Sequence, residues 1–86
     1  MEKPQVRNDI TLQDLGDEIM LYDTDGEKVH VLNHTASVIW NLCDGRHSLE
    51  EMQQELIQSY PGISESDIIT DIRTALEDFK ERKLLI

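Results

Sequence analysis

The sequence predicts an α+β fold, winged-helix-like in outline, with an N-terminal three-stranded antiparallel β-meander followed by three α-helices. Two patterns carry this prediction. Before Asn33, three short runs place their apolar residues with a period of two, separated by the turn signals Leu15-Gly16-Asp17 and Asp23-Thr24-Asp25-Gly26. After Asn33, apolar residues recur three and four apart in three segments, each opening on a capping residue. At 86 residues the chain supports one core, so residues 1–86 read as a single domain.

Residues 1–8 carry Pro4 and mixed charge without a period, and the expectation there is a loose, flexible arm. Ile10 and Leu12 alternating with Thr11 and Gln13 give a first strand. Glu18 to Tyr22 gives a second, with Ile19 and Leu21 on one face and Met20 and Tyr22 on the other. Lys28 to Leu32 gives a third, in which Val29 and Val31 alternate with His30 and Leu32. In a meander the second strand lies in the middle, so the third is an edge. An edge strand leaves a row of N–H and C=O groups that an extended chain can satisfy.

Asn33 is an N-cap candidate, since its side chain can accept an orphan N–H, and the helix it opens is expected over 34–44 with Gly45 as its stop. Ala36, Ile39, Trp40 and Cys43 fall on one stripe, widened by Val38 and Leu42, which marks a buried helix. Ser48 with Glu51 forms a capping box for a second helix whose apolar face is Leu49, Met52, Leu56 and Tyr60, ended by Pro61-Gly62. Ser64 opens a third helix that Ile68, Ile72, Ala75, Leu76 and Phe79 carry to about Arg82. Its acids come early and its bases late, as the helix dipole favours. Asp67, Ile69 and Arg73 lie off its apolar stripe, on a surface expected to border the edge strand, and Leu84-Leu85-Ile86 is expected to pack back on the core.

Charge excludes one class of partner. Eighteen acidic side chains against eight basic ones give a formal charge of −10, which opposes nucleic acid and anionic membrane surfaces. A DNA-binding winged helix is the competing reading of the helix order, but residues 64–79 hold Arg73 as their one cation among five carboxylates. A dimerisation or adaptor module using the same edge is a further alternative, so the chain is expected as a monomer or weak homodimer. No apolar run reaches membrane-spanning length, the N-terminal segment has no signal-peptide core, and the single cysteine excludes an internal disulfide. These features make a cytoplasmic protein the expectation.

His30, His34, Cys43 and His47 match no zinc spacing, and a Cys43–His47 pair one turn apart makes no cleft. The expectation is therefore no metal, no cofactor and no enzyme. Trp40 reads as core packing, and the pair Asp67 and Asp71 as a dipole complement on a solvated face.

The run LYDTDGEKVHVLNHTASVIWNLCDGRHSLEEM with the later SDIITDIRTALEDFKERKLL resembles the PqqD family of small peptide chaperones, also called RiPP recognition elements, over Glu18 to Ile86. The telling pieces are Leu32-Asn33 with Thr35-Ala36, Leu42-Cys43-Asp44-Gly45, and the Asp67, Asp71, Leu76 helix with its apolar tail. The resemblance implies binding without catalysis. Such proteins hold the leader segment of a ribosomally made precursor as an added strand and deliver it to a modifying enzyme, often a radical SAM enzyme. It assigns the strand side of the site to Lys28, Val29, His30, Val31 and Leu32, and draws the helix side from Asp67, Ile68, Asp71, Ile72 and Ala75. Members serving pyrroloquinoline quinone synthesis carry Tyr-Pro-Glu-Gly at the hairpin and an aliphatic residue at position 40. Here Tyr22-Asp23-Thr24-Asp25-Gly26 and Trp40 stand instead, so the product class stays open.

Overall fold

The structure, a computed structural model, describes residues 3–24 and 26–86. Strands β1 (Ile10–Asp14), β2 (Ile19–Asp23) and β3 (Lys28–Leu32) pair antiparallel in the order β1-β2-β3, so β3 is an edge. The register sets Tyr22 opposite Val29, Leu21 opposite His30 and Ile19 opposite Leu32. Opposed residues share a face. Ile19, Leu21 and Leu32 are therefore buried on the inner face, while Val29 and Val31 stand on the outer face with Met20 and Tyr22.

Gly16, with φ 99, turns the chain between β1 and β2. In the expected Asp25-Gly26 turn, Asp25 lies outside the described residues. Among the described residues of that hairpin, Glu27 takes a left-handed backbone, at φ 52.

Three helices follow: α1 (His34–Leu42), α2 (Leu49–Ser59) and α3 (Glu65–Glu81). Each opens as its cap requires. Asn33 accepts the N–H of Ala36, Ser48 and Glu51 form both halves of the capping box, and Ser64 accepts the N–H of Asp67. Helix α1 stops two residues before the expected end, because the Cys43 N–H turns back to the Trp40 carbonyl at 3.1 Å. Gly45 then takes φ 78. A Cβ there would also stand 2.8 Å from Gln5 Oε1, a contact that the flexible Gln5 side chain relieves by turning away, so the positive φ is what calls for glycine.

Ile39 and Trp40 of α1 with Cys43 at its C-cap, Met52 and Leu56 of α2, and Ile68, Ile72, Leu76 and Phe79 of α3 close over Ile19, Leu21 and Leu32. Trp40 meets Phe79 edge to face, with ring centres 5.3 Å apart and planes at 88°. Leu84 is buried with them, as the apolar tail predicts.

The loose N-terminal arm is corrected from Pro4 to Arg7. Pro4 is buried, its carbonyl accepts the Gly45 N–H at 3.0 Å, and the Val6 N–H reaches the Cys43 carbonyl at 2.9 Å. On the other side the Arg7 N–H donates to the Leu84 carbonyl at 2.9 Å and the Ile86 N–H to the Gln5 carbonyl at 2.8 Å. The arm is thus a strap between the end of α1 and the C-terminal tail. Arg7 also reaches the buried Asp23 carboxylate at 3.2 Å and the Lys83 carbonyl at 3.0 Å, which ties the strap to the end of β2. Among the described residues no helix is long and apolar enough to cross a membrane.

Candidate functional site

The open edge of β3 can be resolved residue by residue. In the turn between β1 and β2 the Leu15 N–H donates to the Glu18 carbonyl at 2.8 Å, so Leu15 and Glu18 form a hydrogen-bonded pair. Antiparallel ladders alternate bonded and non-bonded pairs. With the register continuous through both pairings, Met20 and Tyr22 bond to β1, while Ile19, Leu21 and Asp23 bond to β3. Their partners Leu32, His30 and Lys28 therefore turn their backbone groups inward. Val29 and Val31 turn theirs outward, and among the described residues β3 pairs with β2 alone.

Beside the end of this edge lies a groove of about 470 Å³. Asn33, Thr35, Ala36 and Ile39 form one wall, and Asp71, Thr74, Ala75, Glu77, Asp78 and Glu81 of α3 form the other. Since Asn33 directly follows β3, the groove opens where the free edge ends. It is acidic, with four carboxylates on the α3 wall.

At the C-terminal end of α3, Arg82 spans to the strand. Its Nε donates to Asp78 Oδ1 at 3.0 Å and its Nη1 to His30 Nδ1 at 3.2 Å. Arginine can only donate, so His30 carries its proton on Nε2, which is buried without a partner among the described residues. Burial first, and the Arg82 charge second, hold the His30 pKa below its ordinary value, so the ring is kept neutral.

The expected strand residues Lys28, Val29, His30, Val31 and Leu32 all lie on the edge strand. On the helix side, Asp71 and Ala75 line the groove. Ile72 and Ile68 are core residues, 1% and 3% exposed, and Ile72 supports the helix rather than offering a surface to a guest. Asp67 is exposed in the first turn of α3, outside the groove lining. Asp67, Ile69 and Arg73, expected to border the strand, do not line the groove; its α3 wall is built from Asp71, Thr74, Ala75, Asp78 and Glu81 instead, across from Asn33 to Ile39. That stripe continues the three- and four-residue helical spacing from Asp71, which was the signal available for finding its lower half.

Cys43 and His47 form no reactive pair. Burial, with Asp44 adding to it, pushes the Cys43 thiol up to about 12, so it stays protonated. His47 instead pairs its Nδ1 with Asp44 Oδ1 at 2.9 Å.

The family described as Coenzyme PQQ synthesis protein D (PqqD) matches residues 18–85 of the chain. Two solved structures resemble the whole fold. TbiB1 in complex with the TbiA(beta) leader peptide is 20% identical, with 94% of this chain and 93% of that one covered, at a TM-score of 0.82. Lasso peptide synthetase B1 complexed with the leader peptide is 24% identical, with 98% of each chain covered, at a TM-score of 0.79. At these identities the likeness is one of fold. No curated protein matches the chain.

Proposed function

The chain belongs to the PqqD family, and from that premise we propose that it binds the leader segment of a ribosomally made precursor peptide and does not itself modify it. The leader adds as a fourth strand beside β3. One observation carries the reading: Val29 and Val31 turn their N–H and C=O groups to an edge left uncovered among the described residues, and that edge ends at an acidic groove. The two proteins of similar fold were solved with leader peptides bound, which supports the same use of this fold here.

Backbone bonds to Val29 and Val31 supply affinity without regard to sequence. Specificity comes from alternate leader side chains. Those opposite Val29 and Val31 share the outer face, and those opposite His30 and Leu32 face the α3 side. The carboxylates of Asp71, Glu77, Asp78 and Glu81 favour lysine or arginine in the leader, chiefly by speeding association at low salt. The protein then delivers the held precursor to a modifying enzyme. The family resemblance supports a radical SAM enzyme in that role.

Calorimetric titration of the whole chain with the cognate leader, beside a random DNA duplex, tests this reading. One leader per chain, with an association that weakens as salt rises, is expected. Tight, salt-sensitive binding to the duplex with none to the leader would reverse the assignment. Sedimentation with and without peptide separates a monomeric binder from a homodimer joined through the β3 edge.

A further inference from the structure

The sheet has a second open edge, on the side away from β3. The Leu15–Glu18 bond that sets Val29 and Val31 outward also fixes β1, since bonded and non-bonded pairs alternate from it in both directions. Thr11 and Gln13 bond to β2, and Ile10, Leu12 and Asp14 turn their N–H and C=O groups away from the sheet. Among the described residues β1 pairs with β2 alone. Edges are commonly guarded by lysine, proline or a bulge, and Ile10–Asp14 has none of these. The carboxylates beside it are engaged within their own chain: Asp14 Oδ1 accepts the Gly16 N–H at 2.8 Å, and Asp9 Oδ1 accepts from Arg7 Nε at 3.0 Å.

A side chain marks the same edge. Leu12 lies opposite Leu21, so it stands on the inner face of the sheet. Leu21 is fully buried beneath the helices, yet Leu12 is 45% exposed, because the core closes over β2 and β3 and stops short of it.

We propose that β1 pairs antiparallel with β1 of a second copy of the chain, giving a twofold dimer with one continuous sheet and a free β3 at each end. The inference is independent of leader binding, which uses the opposite edge. The strand is complementary to itself. A twofold axis through Leu12 is the placement that pairs all five residues of Ile10–Asp14. Leu12 then exchanges both backbone bonds with its own copy, Ile10 does so with Asp14 of the second copy, and Thr11 faces Gln13. Every outward group of the strand is paired, no carboxylate faces another, and the two Leu12 side chains cover each other on the inner face.

The contact is short and each chain carries a formal charge of −10, so the dimer is weak and parts on dilution. Its salt dependence is opposite in sign to that of a cationic leader. Screening weakens the repulsion between the copies and so favours pairing.

Sedimentation equilibrium of the whole chain, from micromolar to millimolar concentration at low and high sodium chloride, is the test. A monomer–dimer equilibrium that moves toward dimer as salt rises is expected. Leu12→Pro removes only an outward N–H, and Leu12→Lys sets a charge on the axis. Each raises the dimer dissociation constant about tenfold with the circular dichroism spectrum unchanged, whereas Val31→Pro, on the other edge, dimerises like the parent chain. Leu12→Cys tests the same contact without disturbing the backbone. Across a bonded pair the Cα atoms lie about 5.5 Å apart, within disulfide reach, so mild oxidation links two chains through position 12. The parent chain, whose one cysteine is the buried Cys43, stays unlinked. A chain that remains monomeric to millimolar concentration overturns the proposal, as does a Leu12→Cys chain that never links, or a dimer that Val31→Pro dissolves and Leu12→Pro does not.

Discussion

Val31→Pro separates recognition from folding, because the Val31 N–H points to the open edge rather than into the β2–β3 ladder. Proline there removes no internal bond. It keeps φ near −65°, which edge strands tolerate, and replaces a side chain that is already 52% exposed, so little packing is lost. The stability change is expected to stay within about 1 kcal/mol. Leader binding suffers more. One backbone hydrogen bond is worth about 0.5–1.5 kcal/mol net, and the ring also holds the guest strand away from the neighbouring bonds at Val29. A combined loss of roughly 2–3 kcal/mol corresponds to affinity weakened roughly 30- to 150-fold. His30→Pro is the matched control. Its N–H bonds inward to β2, so proline there breaks the ladder opposite Leu21 and leaves an inner acceptor unpaired, which destabilises the fold by about 1–3 kcal/mol. Urea unfolding followed by circular dichroism, with calorimetry on the folded variants, reads both effects. Equal destabilisation by the two prolines would refute the assignment of outward-facing groups, and undiminished leader binding by Val31→Pro would refute strand addition.

Three further outcomes follow from the same geometry. Trp40→Ala removes the ring that packs edge to face on Phe79 in the core and should lower stability by roughly 3–5 kcal/mol, seen as a large fall in the urea midpoint. Asp71→Lys, at an exposed position of α3, should leave the fold intact and weaken a cationic leader roughly three- to tenfold at low salt, with the difference shrinking as salt is added. The two histidines should titrate in opposite directions by NMR: His47, bonded to Asp44, above the ordinary value of 6.5, and His30, buried beside Arg82, below it. His47 therefore stabilises the fold below 6.5 and loses that contribution as pH rises through its raised pKa. His30 contributes fully above 6.5 and loses its share as pH falls through its lowered one.

The elements that sequence made legible are those whose signals are local. Asn33, Ser48 with Glu51, and Ser64 satisfy donors three residues away, so each helix start could be read from a few neighbours. The meander's short turns likewise left β3 at an edge. The strap from Pro4 to Arg7 was hidden for the opposite reason. Its bonds run to Cys43, Gly45, Leu84 and Ile86, and an arm held by single bridges to distant residues shows no periodicity of its own. The site divides in the same way. Asp71 and Ala75 are found from the helical period, but the reach of Arg82 across to His30 depends on how α3 lies against the sheet, which no spacing within either segment encodes.

Hydrogen exchange at the amides of Val29 and Val31, measured by NMR on the free chain and on the chain saturated with its leader, bears most directly on strand addition at β3. Fast exchange of both amides in the free protein, with strong protection in the complex and little change at His30, is the predicted result. Binding of the leader with Val29 and Val31 still exchanging fast would contradict it.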